Sequence, residues 1–205
     1  NGSQWIETTT DDKEWYNYSK KEWANVKLAD GSMFVWIPRY AYKIANGYHE
    51  NLENGGTIEI EFLLGTSNSQ NDYIVNPAFK FGDEELQGIW VAKYEASKTD
   101  ATDTNVGSSE TISFKQNVLS TTDYDLNQIL YYCRKMESQN IYGWNSQNGT
   151  LVNTGHIIDD NNNFDTHLMK NVEWGSVTYL AQSKYGINNR ISANTSQISG
   201  NGGIS

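Results

Sequence analysis

The stretch Thr166–Gly186, THLMKNVEWGSVTYLAQSKYG, constrains the fold more than any other part of the chain. Leu168, Val172, Val177, Leu180 and Ala181 recur close to the helical period, so the segment reads as one amphipathic helix. Glu173 falls in the first turn, where a carboxylate meets the positive end of the helix dipole, and Lys184 falls in the last, where a cation is favoured. Gly186 stands where a left-handed C-cap is wanted. Trp174 is expected to be the large aromatic anchor of this helix.

A second helix is predicted upstream, over Thr122–Met136, with Thr122 and Asp125 as a variant capping box and Leu126, Ile129, Leu130 and Cys133 as its apolar stripe. Strand text precedes it. SMFVWIPRYAYKI (Ser32–Ile44) carries an apolar run at Met33–Ile37 that predicts burial on both faces, then Pro38, which marks an edge, bulge or strand end, then alternation at Tyr40, Tyr42 and Ile44. TIEIEFLL (Thr57–Leu64) sets Ile58, Ile60 and Phe62 against Glu59 and Glu61. GIWVAKYEAS (Gly88–Ser97) is a further strong strand, and ISFK (Ile112–Lys115) a short one. Ser19-Lys20-Lys21 and Asp30-Gly31 are turn signals. Lys98–Ser109 reads as a polar, mobile loop and Asn140–Asp165 as a long Asn-, Gly- and Asp-rich insertion. Strands first and helices after, separated by loops, give an α+β class with segregated elements. The expected domains are an aromatic β extension over 1–30 and the main domain over 31–205.

Composition narrows the function. The chain has 13 Tyr and 7 Trp but only 2 Pro and 3 Met, the profile of a secreted or surface-exposed β-containing protein. Its net charge of −10 argues against a nucleic-acid backbone as partner. No apolar run approaches the length of a bilayer span, so membrane insertion is not expected. The chain opens on polar NGSQWIETTTDD, with no signal-peptide text. Cys133 is the single cysteine, which excludes an intramolecular disulfide and a cysteine-based zinc site; it reads as a small core residue.

Several candidate chemistries remain. Asp159, Asp160 and Asp165, in the run DDNNNFD, offer the hard oxygen ligands that calcium prefers, although the same residues build ordinary turns and the EF-hand pattern is not matched. Asp100 and Asp103 form a weaker cluster of the same kind. His49, His156 and His167 would have to converge from three segments to bind iron or zinc. Glu59 and Glu61 share a strand face, the residue types of a glycosidase pair or simply a solvated face. No nucleophile motif or phosphate loop is present. Aromatics in polar contexts, Trp5, Trp15, Tyr18, Trp23 and above all Trp144 in the long insertion, suit either stacking on a sugar or protein ligand or packing of a thin core.

Phe34-Val35-Trp36-Ile37-Pro38, Gly88–Ser97, the predicted first helix and Met169-Lys170-Asn171-Val172-Glu173-Trp174 resemble, in that order, the formylglycine-generating-enzyme-like (sulfatase-modifying-factor) branch of the C-type-lectin fold, whose second helix opens on a PTEAEWEYAA-type segment. FVWIPRYAYKI, GIWVAKYEAS and THLMKNVEWGSVTYLAQSKYG together look like surface or prophage-encoded proteins of gut Firmicutes. The resemblance implies an antiparallel sheet with two packed helices and long polar loops. It also implies a C-terminally incomplete domain, since the YGMYDMSGNVWEW-like segment of the family is missing after Gly186. The catalytic cysteine pair of the family's enzymes has no counterpart here. What the resemblance then implies is a non-catalytic adhesion or recognition module on a cell or virion surface, binding a glycan or protein through Trp144, with calcium at Asp159, Asp160 and Asp165 as its one candidate cofactor. In such a frame Glu173 and Trp174 would lock the scaffold. Two further readings stay open: a metal-dependent oxidase of the same fold, and a structural domain of a phage tail or pilus-like assembly. The oligomeric state is not legible.

Overall fold

The computed structural model describes residues 16–45, 57–122, 124–143 and 165–188. It is a mixed α+β structure of antiparallel sheets and two α-helices. In chain order the strands are β1 (Asn25–Lys27), β2 (Met33–Pro38), β3 (Tyr40–Ala45), β4 (Thr57–Phe62), β5 (Ile74–Val75), β6 (Lys80–Phe81), β7 (Glu84–Glu85), β8 (Gly88–Ala92), β9 (Ser97–Lys98) and β10 (Ile112–Ser113). The helices are α1 (Leu126–Lys135) and α2 (Asn171–Gln182). The sheets run in the orders β1-β2-β8, β4-β3-β5, β6-β7 and β10-β9. These elements fall into two compact units. Of the described residues, the first takes 25–35, 91–122, 124–143 and 165–168, and the second takes 16–24, 36–45, 57–90 and 169–188.

In the first unit β1 and β2 form a hairpin, with Val26 opposite Phe34 and Lys27 opposite Met33. Asp30-Gly31 makes the turn, as its sequence predicts. Gly31 has φ +94°, a conformation that only glycine adopts without strain, and the Asp30 carboxylate accepts the Ser32 amide at 3.0 Å and the Ser32 hydroxyl at 2.6 Å. The core gathers Leu28, Ile112, Met136 and Tyr142, with Phe34, Phe114, Tyr132 and Cys133 packed against it. The Tyr142 hydroxyl donates to the Ile112 carbonyl at 2.6 Å, which satisfies the polar tip of a buried aromatic. Met33–Trp36 is half-buried rather than closed on both faces. As the middle strand of its sheet, β2 has its edges paired, and edge pairing covers backbone, not side-chain faces. β8 ends at Ala92, short of the predicted Ser97.

The N-cap of helix α1 lies three residues later than predicted. Asp125, not Thr122, is the N-cap: it accepts the Gln128 amide at 2.9 Å, and the Gln128 side chain accepts the Asp125 amide at 2.9 Å, a reciprocal capping box. The buried side of α1 only partly matches the predicted stripe. Tyr132 and Cys133 meet the core, while Leu126 and Leu130 of the predicted stripe are exposed.

In the second unit β3 pairs with β4 from Tyr40–Phe62 to Ala45–Thr57 and with β5 at Ala41–Val75 and Tyr42–Ile74. Ile58 and Ile60 are buried and Glu59 is exposed, the alternation read from the sequence. Pro38 ends β2, and the next residue, Arg39, is almost wholly buried. Its guanidinium donates to the carbonyls of Ser67, Phe79 and Leu86 and to Asn68, and pairs with Glu85 at 2.7 Å. Buried Tyr40 is the joint between sheet and helix: its hydroxyl donates to the Ser176 carbonyl of α2 at 2.6 Å and accepts the Asn76 amide group at 3.0 Å. Tyr42 meets Tyr179 of α2 at 4.8 Å between ring centroids.

Helix α2 corrects four sequence expectations. It begins at Asn171, so Leu168 lies before it, exposed, and it ends at Gln182, so Lys184 lies beyond it. Its buried line is Glu173–Ser176–Leu180, polar at its start, which leaves Val172 and Trp174 exposed. Gly186 does not take a left-handed φ. Glycine is needed there because a Cβ would run into the Ala181 carbonyl, around which the chain folds to make the 2.7 Å bond from the Ile187 amide. No described helix is long and apolar enough to cross a membrane.

Candidate functional site

Trp144, Asp159 and Asp160 lie outside the described residues, as do His49, His156, Trp5 and Trp15. Asp165 is described, and protein groups occupy its carboxylate: Arg134 of α1 and the His167 ring both pair with it. Beside it, buried Glu137 accepts the Thr166 amide at 2.6 Å and Arg134 at 3.1 Å, and the Thr166 hydroxyl donates to the Cys133 carbonyl at 2.7 Å. These bonds fasten residues 165–167 to the C-terminal end of α1. Among the described residues no group of three or more His, Cys, Asp or Glu side chains could hold a metal ion.

Cys133 sits against the first unit's core, and burial pushes its thiol up to about 11, so it is an unreactive thiol at neutral pH. Glu59 and Glu61 are each engaged on their strand face. Tyr73 donates to Glu59 at 2.6 Å, a bond that pushes the phenol up to about 12, and Ser69 donates to Glu61 at 2.5 Å. Asp100 organises the Lys98–Ser109 loop: its carboxylate accepts the Ser108 and Ser109 amides at 2.9 Å each and holds Gly107, φ +78°, close beside it. These amide donors hold the Asp100 carboxyl below the usual carboxylate range. Tyr18 and Trp23 are half-buried in an aromatic layer with Phe62 and Tyr185; Tyr18 lies 4.5 Å from Phe62 and 4.9 Å from Trp23. Their setting is that of frame residues.

Trp174 differs from all of these. It projects from the first turns of α2 with 43% of its surface exposed. With Met169, Lys170 and Asn171 it lines an open hollow of about 340 Å³. Glu173 explains the geometry. Its carboxylate turns inward and accepts the Lys170 amide at 2.7 Å, and the next residue, about 100° further round the helix, faces out. The Lys170 ammonium is held on two sides, 4.1 Å over the Phe81 ring of β6 and 3.8 Å from Glu173. Sequence reasoning missed this surface because it took Trp174 for an anchor. The signal was present in Glu173, whose inward capping role dictates where its neighbour points.

No protein-family model, no curated protein and no solved structure matches the chain.

Proposed function

We propose that the protein is a non-catalytic recognition module with a C-type-lectin-like frame, working outside a cell or on a virion and binding a glycan or protein without transforming it. The observation that carries this reading is Trp174, a large aromatic 43% exposed on a helix whose other side is fixed by buried Ser176 and Leu180. Trp174 leaves 43% of its surface open to solvent beside the exposed Asn171, setting a large aromatic next to a hydrogen-bonding group. Tryptophan offers a broad contact area at low entropy cost, as binding surfaces require. The charged groups elsewhere, Arg39, Glu137 and Asp165, are engaged in bonds that hold the frame together.

The test is capture of surface material, cell-envelope extracts and whole virions, by the immobilised chain. The wild-type chain should retain a ligand and Trp174→Ala should lose most of it. Turnover of a substrate with no retained ligand would overturn the reading.

A further inference from the structure

Three tyrosines of the first unit gather around α1. Tyr124 stands directly before Asp125, the N-cap, and Tyr131 and Tyr132 lie in the helix. The Tyr124 and Tyr132 rings stack with their centroids 4.8 Å apart and their planes 27° from parallel. Their hydroxyls also meet. The Tyr132 phenol is raised above its usual range, first by desolvation and then by Tyr124, which acts on it through its charge and through a hydrogen bond between the two side chains. A stack whose hydroxyls pair is head to head, so the ring carbons ortho to the two oxygens face each other. The Lys98 ammonium stands 5.7 Å from the Tyr124 ring and the Lys135 ammonium 5.8 Å from that of Tyr132, where positive charge favours loss of a phenol proton. Both stacked rings are half-buried, and Tyr131, 42% exposed, lies 5.4 Å from Tyr132, so an electron drawn from the surface can be replaced from the pair. Other tyrosine pairs lack this arrangement. Tyr131 crosses Tyr132 at 73° and Tyr42 meets Tyr179 at 60°. Tyr16 and Tyr18 stack at 4.6 Å, but Tyr18 is enclosed by Trp23 and Phe62 and burial raises its phenol.

We infer that Tyr124 and Tyr132 are a site of oxidative coupling, where a peroxide-driven one-electron oxidant joins the two stacked rings through a dityrosine carbon–carbon bond. Each ring gives one electron to the oxidant and its phenol proton to solvent. The two phenoxyl radicals combine ortho carbon to ortho carbon, and the hydrogens on those carbons then move to the oxygens, which restores both phenols. The peroxide takes up the two electrons and two protons and leaves as water. The new bond ties α1 to the residue that precedes its cap, making permanent what the stack holds by packing alone. A disulfide cannot supply such a tie within this chain, because Cys133 is its only cysteine. The site is independent of the Trp174 surface and of the recognition reading.

The test treats the full chain with hydrogen peroxide and a peroxidase. The product is followed by dityrosine fluorescence, by size exclusion and by mass mapping of its peptides. A fluorescent monomer should form, with the Tyr124 and Tyr132 peptides joined at the loss of two hydrogen atoms. Tyr124→Phe and Tyr132→Phe should each lose most of the fluorescence, since phenylalanine keeps the stack but gives no phenoxyl radical. Tyr18→Phe should keep it, and Tyr131→Phe should slow the coupling while leaving the same joined peptides. Thermal melts verify the fold of each variant, which removal of one hydroxyl should leave intact. Fluorescence indifferent to both Tyr124→Phe and Tyr132→Phe overturns the inference. So does coupling found only between chains, as dimers joined through Tyr131, or oxygen insertion into the rings with no joined peptides. Each of these outcomes leaves capture through Trp174 untouched.

Discussion

Arg39 is the residue on which the second unit most depends. Its side chain is 1% exposed, and it donates to three backbone carbonyls and Asn68 from a position directly after Pro38. Pro38 has no amide to pair, so the strand must stop, and the arginine that follows turns the break into a hub tying the Ser67–Asn68 loop to the segment around the β6–β7 hairpin. Its partner Glu85 is 42% exposed and can rehydrate, and the Phe79 carbonyl keeps a second donor, the Leu86 amide at 2.9 Å. Arg39→Met should therefore destabilise the protein by about 3 kcal/mol, most of it from the charge-assisted bonds lost at the Ser67 and Leu86 carbonyls and Asn68 rather than from the lost ion pair. Urea unfolding measures this, and Glu85→Gln should cost far less. Equal losses in the two variants would place the energy in the ion pair instead. Gly88 is bound by a different constraint. A Cβ there would overlap the Trp36 indole, so the absence of a side chain lets that ring settle 5.2 Å from Trp90.

At the scale of elements, the Lys98–Ser109 loop shows how a polar segment acquires order without a core. Asp100 draws in the amides of Ser108 and Ser109, Thr102 accepts the Asn105 amide at 3.0 Å, and the Asn105 side chain accepts the Gly107 amide at 2.8 Å. The Asp100 pKa is lowered from 3.8, chiefly by the Ser108 and Ser109 amides. A depressed folded pKa gives support that is fully present above the unfolded value and is lost as pH falls through the folded one. The protection of the Ser108 and Ser109 amides, their exchange relative to an unstructured chain at the same pH, should thus be constant at neutral pH and fall once pH drops below 3.8. Asp100→Asn should lower that protection at every pH. Protection unaffected by either change would mean that the β9–β10 pairing alone orders the loop.

That loop was legible as polar and nothing more, since hydrogen bonds between Ser, Thr, Asn and Asp obey no period. The two-residue strands β5, β6, β7 and β9 escaped for the same reason, whereas β10 lies inside the predicted strand Ile112–Lys115. β4 was legible because alternation survives in it, with Ile58 and Ile60 buried about exposed Glu59; β3 was legible as a strand, but its expected alternation fails, since Ala41 is buried and Ile44 is exposed. The helices were legible in existence but not in facing. For α1, Asp125 with Gln128 outcompeted Thr122 with Asp125 as the cap, and Leu126 and Leu130 of the expected stripe stay exposed. For α2, the buried line opens on a carboxylate, which a reading of apolar periodicity passes over.

For the molecule as a whole, the charge decides how a recognition surface meets its target. The chain carries −10, yet Lys170 beside the Trp174 hollow is balanced by Glu173, so contact there is not driven by charge while long-range repulsion from an anionic surface remains. The screening length is ~30 Å at 0.01 M salt and ~8 Å at 0.15 M, so at low salt the repulsion reaches well beyond the hollow and at physiological salt it does not. Retention of the chain on an anionic cell envelope should therefore rise as salt is raised across this range, whereas affinity for a free neutral oligosaccharide should stay flat. Surface plasmon resonance on immobilised envelope material can separate the two effects, because the gain belongs to the association rate and should leave dissociation unchanged. Retention that instead falls with salt would mean that cationic side chains recognise an anionic ligand directly.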